Sequence, residues 1–231
     1  MRGMVNATFD YALAQPSEHS FAGGGWNHCQ VAAIGAPSQV MEIREMLEHV
    51  PAWLGKALRN VRSGHGGLAI AKLGGEEALH KGGFRLMSAA FVDGEALDPM
   101  FTADEEDACA PPLEWTAPPS GTRALVLIVE DPDAPGPEPL VHWLGWGLEP
   151  RAGKLFEGEE PPVMGQNSYL KAEWLAPDPP TGRGKHDYVF QLFALDCPLE
   201  LAPGSGREAL LDEAEGHVLA AAVLTGTYER R

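Results

Sequence analysis

The sequence is poor in basic residues and in cysteine. It has 17 Lys and Arg against 33 Asp and Glu, a formal net charge of −16. A chain with this charge repels phosphate backbones, which argues against DNA or RNA as a partner. The three cysteines, Cys29, Cys109 and Cys197, are odd in number and lack C-x-x-C spacing. We therefore expect free thiols in a reducing compartment and no disulfide framework.

Long apolar runs are also missing. No segment reaches the roughly 18 apolar residues that a transmembrane helix requires. The first 20 residues include Asp10 and other polar residues where a secretory signal would need a continuous apolar stretch. We expect a cytoplasmic protein without a transmembrane segment, and a hydrophobic content of 44% is enough for a proper core.

Composition divides the chain into three regions. Residues 1–45 are rich in Gly, Ala and Ser without a sustained period, which predicts an irregular extension, and Met46 is an alternative start. Residues 46–83 are predicted to form a basic amphipathic helix, at 47–62, and a Gly-rich linker. This helix has three alternative roles: docking on the main domain, docking on a second subunit as a homodimer, or lying on an anionic membrane surface. Residues 84–231 carry the whole of the acidic excess and form the third region.

The third region has a mainly β pattern of short apolar runs separated by Pro and Gly. The strand candidates are FRLMSAAF (84–91), ALVLIVE (124–130), VHWLGWGL (141–148), DYVFQLFAL (187–195) and AVLTGTYE (222–229). One helix is predicted near the end. It rests on a shared apolar face made by Leu210, Ala214, His217, Val218 and Ala221.

Polar residues interrupt these strands where they begin or end. Asp131 follows the buried run ALVLIVE, while His142 and His186 open two other strands. A period of two places His142 on the same face as Leu144 and Trp146, and places His186 with Tyr188 and Phe190. If the three strand ends meet at one sheet edge, a carboxylate, two imidazoles and a phenol converge in a small pocket. The spacing alone does not establish this convergence.

Several motifs occur together in one order. They are PPLEW (111–115), GTRALVLIVEDPDAP (121–135), HW (142–143), PP-T-G-x-G-x-H-x-Y (179–188), FALD (193–196) and HVLAAAVLTGTYER (217–230). Together they resemble the phosphatidylethanolamine-binding protein family, which includes Raf kinase inhibitor proteins and bacterial relatives. The resemblance implies a large antiparallel sheet packed against a smaller one with a few peripheral helices, here with an N-terminal helical extension. It also implies a small pocket for an anion such as phosphate or phosphorylethanolamine.

The resemblance assigns five ligand-binding positions. Asp131 matches the first acid of the family's D-P-D motif, His142 its strand histidine and Pro180 its pocket proline, while His186 and Tyr188 match the ends of its H-R-Y triplet. We expect Asp131 to orient a histidine, His186 or His142 to donate charge-assisted hydrogen bonds, and Tyr188 to add a neutral donor. Apolar walls are expected from Trp143, Leu144 or Trp146. No catalytic residue, metal or cofactor is expected.

Two positions depart from the family pattern. Asp187 replaces the arginine of H-R-Y, which removes a partner for the D-P-D carboxylates and adds a negative charge near them. Because neighbouring strand residues face opposite sides, Asp187 should point away from His186 and Tyr188. Upstream of Pro180, the run WLAPDPP (174–180) replaces a glycine-rich stretch, and its Trp, Leu and Ala are expected to narrow the entrance.

Two further functions stay open beside anion binding. The resemblance implies a kinase or protease inhibitor, whose acidic surface would favour a basic protein partner. An enzyme is the alternative from the residues themselves, with Asp131, His142 and His186 as a metal-binding set or as a general acid and base.

Overall fold

Two antiparallel β-sheets form the body of the protein. The computed structural model describes Trp53, Leu54, Leu58 and residues 62–230, and all of these belong to one unit, Met41–Arg231. The strands are β1 (Leu86–Met87), β2 (Leu113–Trp115), β3 (Ala124–Asp131), β4 (Leu140–Leu148), β5 (Gly153–Leu155), β6 (Val163–Met164), β7 (His186–Leu195) and β8 (Val218–Tyr228). The larger sheet has the order β6-β4-β3-β7-β8 and the smaller one β1-β2-β5.

Alternation of side chains along the long strands separates two apolar cores. On β3, Leu127 and Val129 pack into a core between the two sheets, whereas Ile128 faces the other side of the larger sheet. The smaller sheet contributes Trp115 to the first core, and helix α2 (Arg207–Ala214) covers the second core with Leu210 and Ala214. The predicted mainly β fold, a large sheet packed against a smaller one, is confirmed.

Residues 63–73, predicted as part of a linker, pack against the larger sheet instead. A 3-10 helix, Ser63–Gly67, leads into the short helix α1 (Ala69–Leu73). Leu68 and Ile70 are fully buried in the second core. The glycines that suggested a linker permit close packing: a Cβ on Gly64 would collide with the carbonyl oxygen of Pro132.

Little of the predicted basic helix at 47–62 lies within the described residues. Leu54 and Leu58 are buried in the second core, with Trp53 partly buried beside them. The amide of Leu58 donates to the carbonyl oxygen of Leu54 at 3.0 Å, the spacing of an α-helix. The other residues before Arg62, including the irregular segment predicted at 1–45, lie outside the described part of the chain.

A buried carboxylate ties residues 63–73 to the sheet. Glu130 is fully buried and accepts hydrogen bonds from the amide of Ala69 (2.7 Å) and from Gln191 Nε2 (2.7 Å). Arg207 Nε donates to its other oxygen at 2.6 Å, and the side-chain oxygen Oε1 of Gln191 accepts from the amide of Ile70 at 2.7 Å. A buried charge is tolerated only when it is paired and hydrogen-bonded, as here.

The sequence misplaced several elements. Helix α2 ends at Ala214, so the predicted helical face is wrong for His217, Val218 and Ala221, of which the last two lie in β8. Gly216 has a φ of +76°, a left-handed conformation that ends helices readily. In the candidate strand FRLMSAAF only Leu86–Met87 is a strand. The short strands β2, β5 and β6 were not among the candidates, because two or three residues show no period.

Residues 62–230 contain two α-helices, and both are short. Helix α1 has five residues and α2 has eight. No helix in this part of the chain is long and apolar enough to cross a membrane.

Removing the charge of Glu130 should expose its role in stability. We expect Glu130→Gln to lower the free energy of unfolding by about 3 kcal/mol, because the mostly buried Arg207 would lose its charged partner. Urea denaturation followed by circular dichroism measures this change.

Glu208→Gln is the matched control for this substitution. Glu208 also contacts Arg207, at 2.9 Å, but its side chain is 77% exposed, so its loss should change stability little. Equal effects of the two substitutions would show that the buried pair has no special importance.

Candidate functional site

Three strand ends of the larger sheet surround one cavity of about 520 Å³. All five residues predicted as ligand-binding line it: Asp131, His142, Pro180, His186 and Tyr188. Asp131 ends β3, His186 begins β7, and His142 lies near the start of β4. Antiparallel pairing brings these three ends to the same edge of the sheet. The predicted convergence is therefore seen in the structure.

Asp131 and His186 form a buried ion pair inside the cavity. The distance from His186 Nδ1 to Asp131 Oδ2 is 2.7 Å, and both side chains are almost inaccessible to solvent. The other carboxylate oxygen of Asp131 accepts from the amides of Asp133 (2.7 Å) and Ala134 (3.1 Å). The hydrogen bond with Asp131 raises the pKa of His186 above its ordinary value, and burial opposes this only in part. His186 is thus favoured as a cation, and its Nε2 remains for a ligand.

The face predicted for His142 was wrong. In the β3–β4 pairing, Val129 opposes Trp143 and Glu130 opposes Val141, so His142 is the extra residue of a β-bulge. A bulge reverses the alternation, and His142 therefore shares the pocket with Tyr188 while Leu144 and Trp146 face the second core.

The predicted apolar walls were also wrong. Trp143, Leu144 and Trp146 do not line the cavity. Its apolar lining comes instead from prolines, alanines, Tyr169 and two leucines: Ala103, Ala134, Pro135, Leu140, Tyr169, Leu175, Ala176, Pro179 and Pro180.

Two buried polar atoms of residues that line the cavity have no hydrogen-bond partner among the described residues. They are His142 Nε2 and Tyr188 Oη, both buried. The two rings meet edge to face with centroids 5.0 Å apart. The other ring nitrogen of His142, Nδ1, lies 2.6 Å from the carbonyl oxygen of Leu175. Burial lowers the pKa of His142 and raises the pKa of Tyr188, so both groups are neutral in the free protein.

Asp187 faces away from His186 and Tyr188, as its strand position predicted. It forms an ion pair with Arg62. Arg62 Nη2 lies 2.9 Å from Asp187 Oδ2 and 2.6 Å from Asp133 Oδ2. His65 Nε2 lies 3.4 Å from the same Asp187 oxygen. Burial would raise the pKa of Asp187, but His65 and Arg62 together outweigh it, and the pKa is lowered.

The expected loss of a cation beside the D-P-D turn is therefore wrong. Arg62 precedes the first strand by more than 20 residues and takes the place beside Asp133 that position 187 leaves unfilled. Sequence reasoning missed this residue. The only available signal was the complementary charge of the basic segment and the acidic turn.

A second, smaller cavity adjoins the first and is rich in cations. It measures about 280 Å³ and shares Pro135, Pro180 and His186 with the larger one. Its other lining residues are Arg62, Asp133, Arg183 and Lys185. This local positive surface contrasts with the net charge of the chain.

The run WLAPDPP (174–180), which replaces the family's glycine-rich stretch, contacts both the first core and the cavity. Trp174 packs on the first core, stacked on Phe190 with ring centroids 6.1 Å apart, and its Nε1 donates to the carbonyl oxygen of Phe101. Leu175 and Ala176 line the cavity. The amide of Leu175 also donates to the carbonyl oxygen of His142 at 2.9 Å, so Leu175 holds His142 at both its backbone and its ring.

Metal binding by Asp131, His142 and His186 has no geometric support. Among the described residues, the group of metal-ligating side chains with atoms within 4.8 Å of one another is Asp196, Cys197 and His217, not the pocket residues. Asp196 and His217 are half exposed and already bonded to each other at 2.8 Å. Cys197 and Cys109 are free thiols, and Cys29 lies outside the described part of the chain.

The fold and the site together define a class of protein: two packed antiparallel sheets with a pocket at one edge of the larger sheet. A family model described as phosphatidylethanolamine-binding protein matches residues 87–229. The chain belongs to the phosphatidylethanolamine-binding protein family, as its motifs predicted.

A curated relative and two solved structures are similar to this chain. A UPF0098 protein of Methanothermobacter thermautotrophicus is 39% identical over 155 residues, which cover 63% of this chain and 98% of that protein. The crystal structure of a Chlamydia trachomatis protein described as a phosphatidylethanolamine-binding protein homologue is similar with a TM-score of 0.60 and 35% identity, covering 64% of this chain and 98% of that one. YbcL of E. coli shares the fold, with a TM-score of 0.59 at 24% identity over 64% of this chain and 99% of that one.

The ion pair of the pocket should make stability depend on pH. The pKa of His186 is raised from 6.5 in the folded state, so its contribution is complete below pH 6.5 and decreases as the pH rises through the raised pKa. We expect Asp131→Asn to lower the free energy of unfolding by about 1–3 kcal/mol at about pH 6 and by less at higher pH. Urea denaturation at several pH values measures the difference.

Asp196→Asn is the control for this experiment, because Asp196 pairs with His217 in the same way but on the surface. Its effect should be small at every pH. If the effect of Asp131→Asn does not change with pH, His186 is not held as a cation.

An arginine at position 187 on β7 should replace Arg62 as the ion-pair partner of Asp133. We expect Arg62→Ala to lower the free energy of unfolding by about 1–2 kcal/mol, since Asp133 and Asp187 would lose their shared cation. Adding Asp187→Arg to Arg62→Ala should recover most of this loss, because it places a guanidinium beside Asp133. Thermal and urea unfolding measure both changes.

The exposed Arg183 of the same cavity supplies the control, and Arg183→Ala should leave stability almost unchanged. A double variant no more stable than Arg62→Ala would rule out this exchange of partners.

Proposed function

We propose that the protein binds a small oxyanion, phosphate or a phosphorylethanolamine-like group, in the cavity of Asp131, His142, Pro180, His186 and Tyr188. The observation that carries the proposal is a pair of buried polar atoms, His142 Nε2 and Tyr188 Oη, that lack partners in the described part of the chain. They accompany an imidazole that Asp131 favours as a cation. Buried polar groups nearly always have hydrogen-bond partners. A bound ligand with both an anionic oxygen and an O–H or N–H donor, such as hydrogen phosphate or phosphorylethanolamine, would supply them.

The walls of the cavity support the same class of ligand. Leu140, Leu175 and Ala176 leave an apolar surface around the polar floor. Small-molecule sites commonly combine apolar walls with a few placed polar groups. A cavity of about 520 Å³ accommodates an anion together with a short organic group such as ethanolamine.

The adjoining cation-rich cavity supports attraction of an anion to the pocket. Arg183 and Lys185 are exposed there, and Arg62 is about half exposed. Cations clustered beside a pocket raise the local concentration of anionic ligands. This effect matters in a chain whose net charge of −16 otherwise repels anions.

Three other expectations stay predictions. They are inhibition of a kinase or protease, pairing of two chains through residues 47–62, and a cytoplasmic location. The segment at 47–62 lies mostly outside the described residues.

Calorimetric titration with phosphate and with phosphorylethanolamine tests the proposed function. We expect both to bind the wild-type protein, and we expect His186→Ala to weaken binding about tenfold or more, because a charge-assisted hydrogen bond to the anion is lost. Equal affinities of wild type and variant would contradict the proposed site.

His217→Ala is the matched control for this titration. His217 Nδ1 lies 2.8 Å from Asp196 Oδ1, a pair of the same chemistry as Asp131 and His186. It lies just before β8, beyond the end of β7 opposite His186. Its loss should leave both affinities unchanged.

A further inference from the structure

The loop before β7 presents two cations beside the pocket. Arg183 and Lys185 line the smaller cavity of about 280 Å³, and both are exposed. Gly182 and Gly184 flank Arg183 with φ values of +78° and +87°, a left-handed conformation that glycine adopts without strain. The amide of Arg183 donates to the carbonyl oxygen of Pro180 at 3.1 Å, which closes a turn on a proline of the larger cavity. The loop thus places both cations at the border of the larger cavity.

The charges of these two side chains are not used inside the protein. Neither Arg183 nor Lys185 has a side-chain hydrogen bond or ion pair with a residue in the described part of the chain. Asp133 lines the same cavity, but its carboxylate already has Arg62 Nη2 at 2.6 Å. Asp187 shares that guanidinium at 2.9 Å. Because Arg62 serves both carboxylates, the donors of Arg183 and Lys185 remain available to a ligand.

His186 forms part of the wall between the two cavities. Its ring lines both of them, as do Pro135 and Pro180. A ligand whose oxyanion contacts His186 in the larger cavity can therefore extend a second group past the imidazole into the smaller one. The volume of about 280 Å³ lies at the low end of small-molecule sites. It suits a compact group such as a carboxylate.

We propose that the smaller cavity is a second anion subsite, and that the protein binds phosphate monoesters of short hydroxy acids. Their phosphoryl group contacts His186, and their carboxylate contacts Arg183 and Lys185. This inference rests on the proposed function and extends its ligand. A guanidinium binds a carboxylate through two parallel N–H donors, and an ammonium adds a point charge. The subsite excludes no ligand of the larger cavity, whose own contacts are unchanged.

Two matched pairs of ligands test the subsite by calorimetry on the full-length wild-type protein. Phosphoglycolate is compared with ethyl phosphate, and the phosphate ester of β-hydroxypropanoate with propyl phosphate. Each pair replaces a terminal methyl group by a carboxylate on a chain of the same length, and the two lengths sample the spacing between the cavities. We expect the carboxylate to bind about tenfold more tightly in at least one pair, the effect of a charge-assisted hydrogen bond.

The net charge of the chain makes such a gain diagnostic. A protein with a charge of −16 would repel the added carboxylate if no local cation received it. Equal or weaker binding of the carboxylate member in both pairs would overturn the subsite. Phosphorylethanolamine, titrated in parallel, separates the two proposals. If it binds while neither carboxylate gains, only the subsite is wrong, whereas absence of binding by all five compounds would overturn the proposed function as well.

Substitutions assign the gain to the loop. We expect Arg183→Gln combined with Lys185→Gln to make the two members of each pair bind equally, while the alkyl phosphates keep their contact with His186. Arg151→Gln combined with Lys154→Gln is the matched control. It removes the same charge from exposed residues that line neither cavity, and it should keep the wild-type ratio. A ratio that survives the loss of both loop cations would overturn the inference.

Discussion

The pleat of β3 sends two neighbouring carboxylates to opposite faces of the larger sheet, and most of the molecule is arranged around them. Glu130 faces the second core, where it binds the start of α1, Gln191 and Arg207. Asp131 faces the cavity and holds both His186 and the turn that follows β3. The end of β3 thus holds residues 63–73 on one face of the sheet and the pocket on the other face. A change in the direction of that strand end would disturb both.

The two histidines of the pocket show how environment divides one residue type into two roles. A carboxylate beside His186 favours the cation, whereas burial lowers the pKa of His142 and outweighs the opposing hydrogen bond to the Leu175 carbonyl oxygen. Placing both as cations in one small cavity would cost Coulomb repulsion. The pocket instead combines one imidazole that is favoured as a cation with one that is favoured as neutral.

The long strands and the members of the site could be predicted from the sequence, because β3, β7 and β8 have strong apolar runs and the motifs fix the site residues. The face of His142 could not, since the bulge follows from how β4 pairs with β3 and leaves no trace in the period of two. The role of Arg62 was also inaccessible. Its contact with Asp187 spans more than 100 positions of sequence, and charge complementarity alone does not select one arginine.

The region matched by the family model is smaller than the packed unit. The match begins at residue 87, yet Arg62, Ala69 and Ile70 provide partners for Asp133, Asp187, Glu130 and Gln191. A gene fragment trimmed to the matched region would expose the second core and leave these groups without their partners. Family boundaries drawn from similarity are therefore a poor guide to where this chain can be cut.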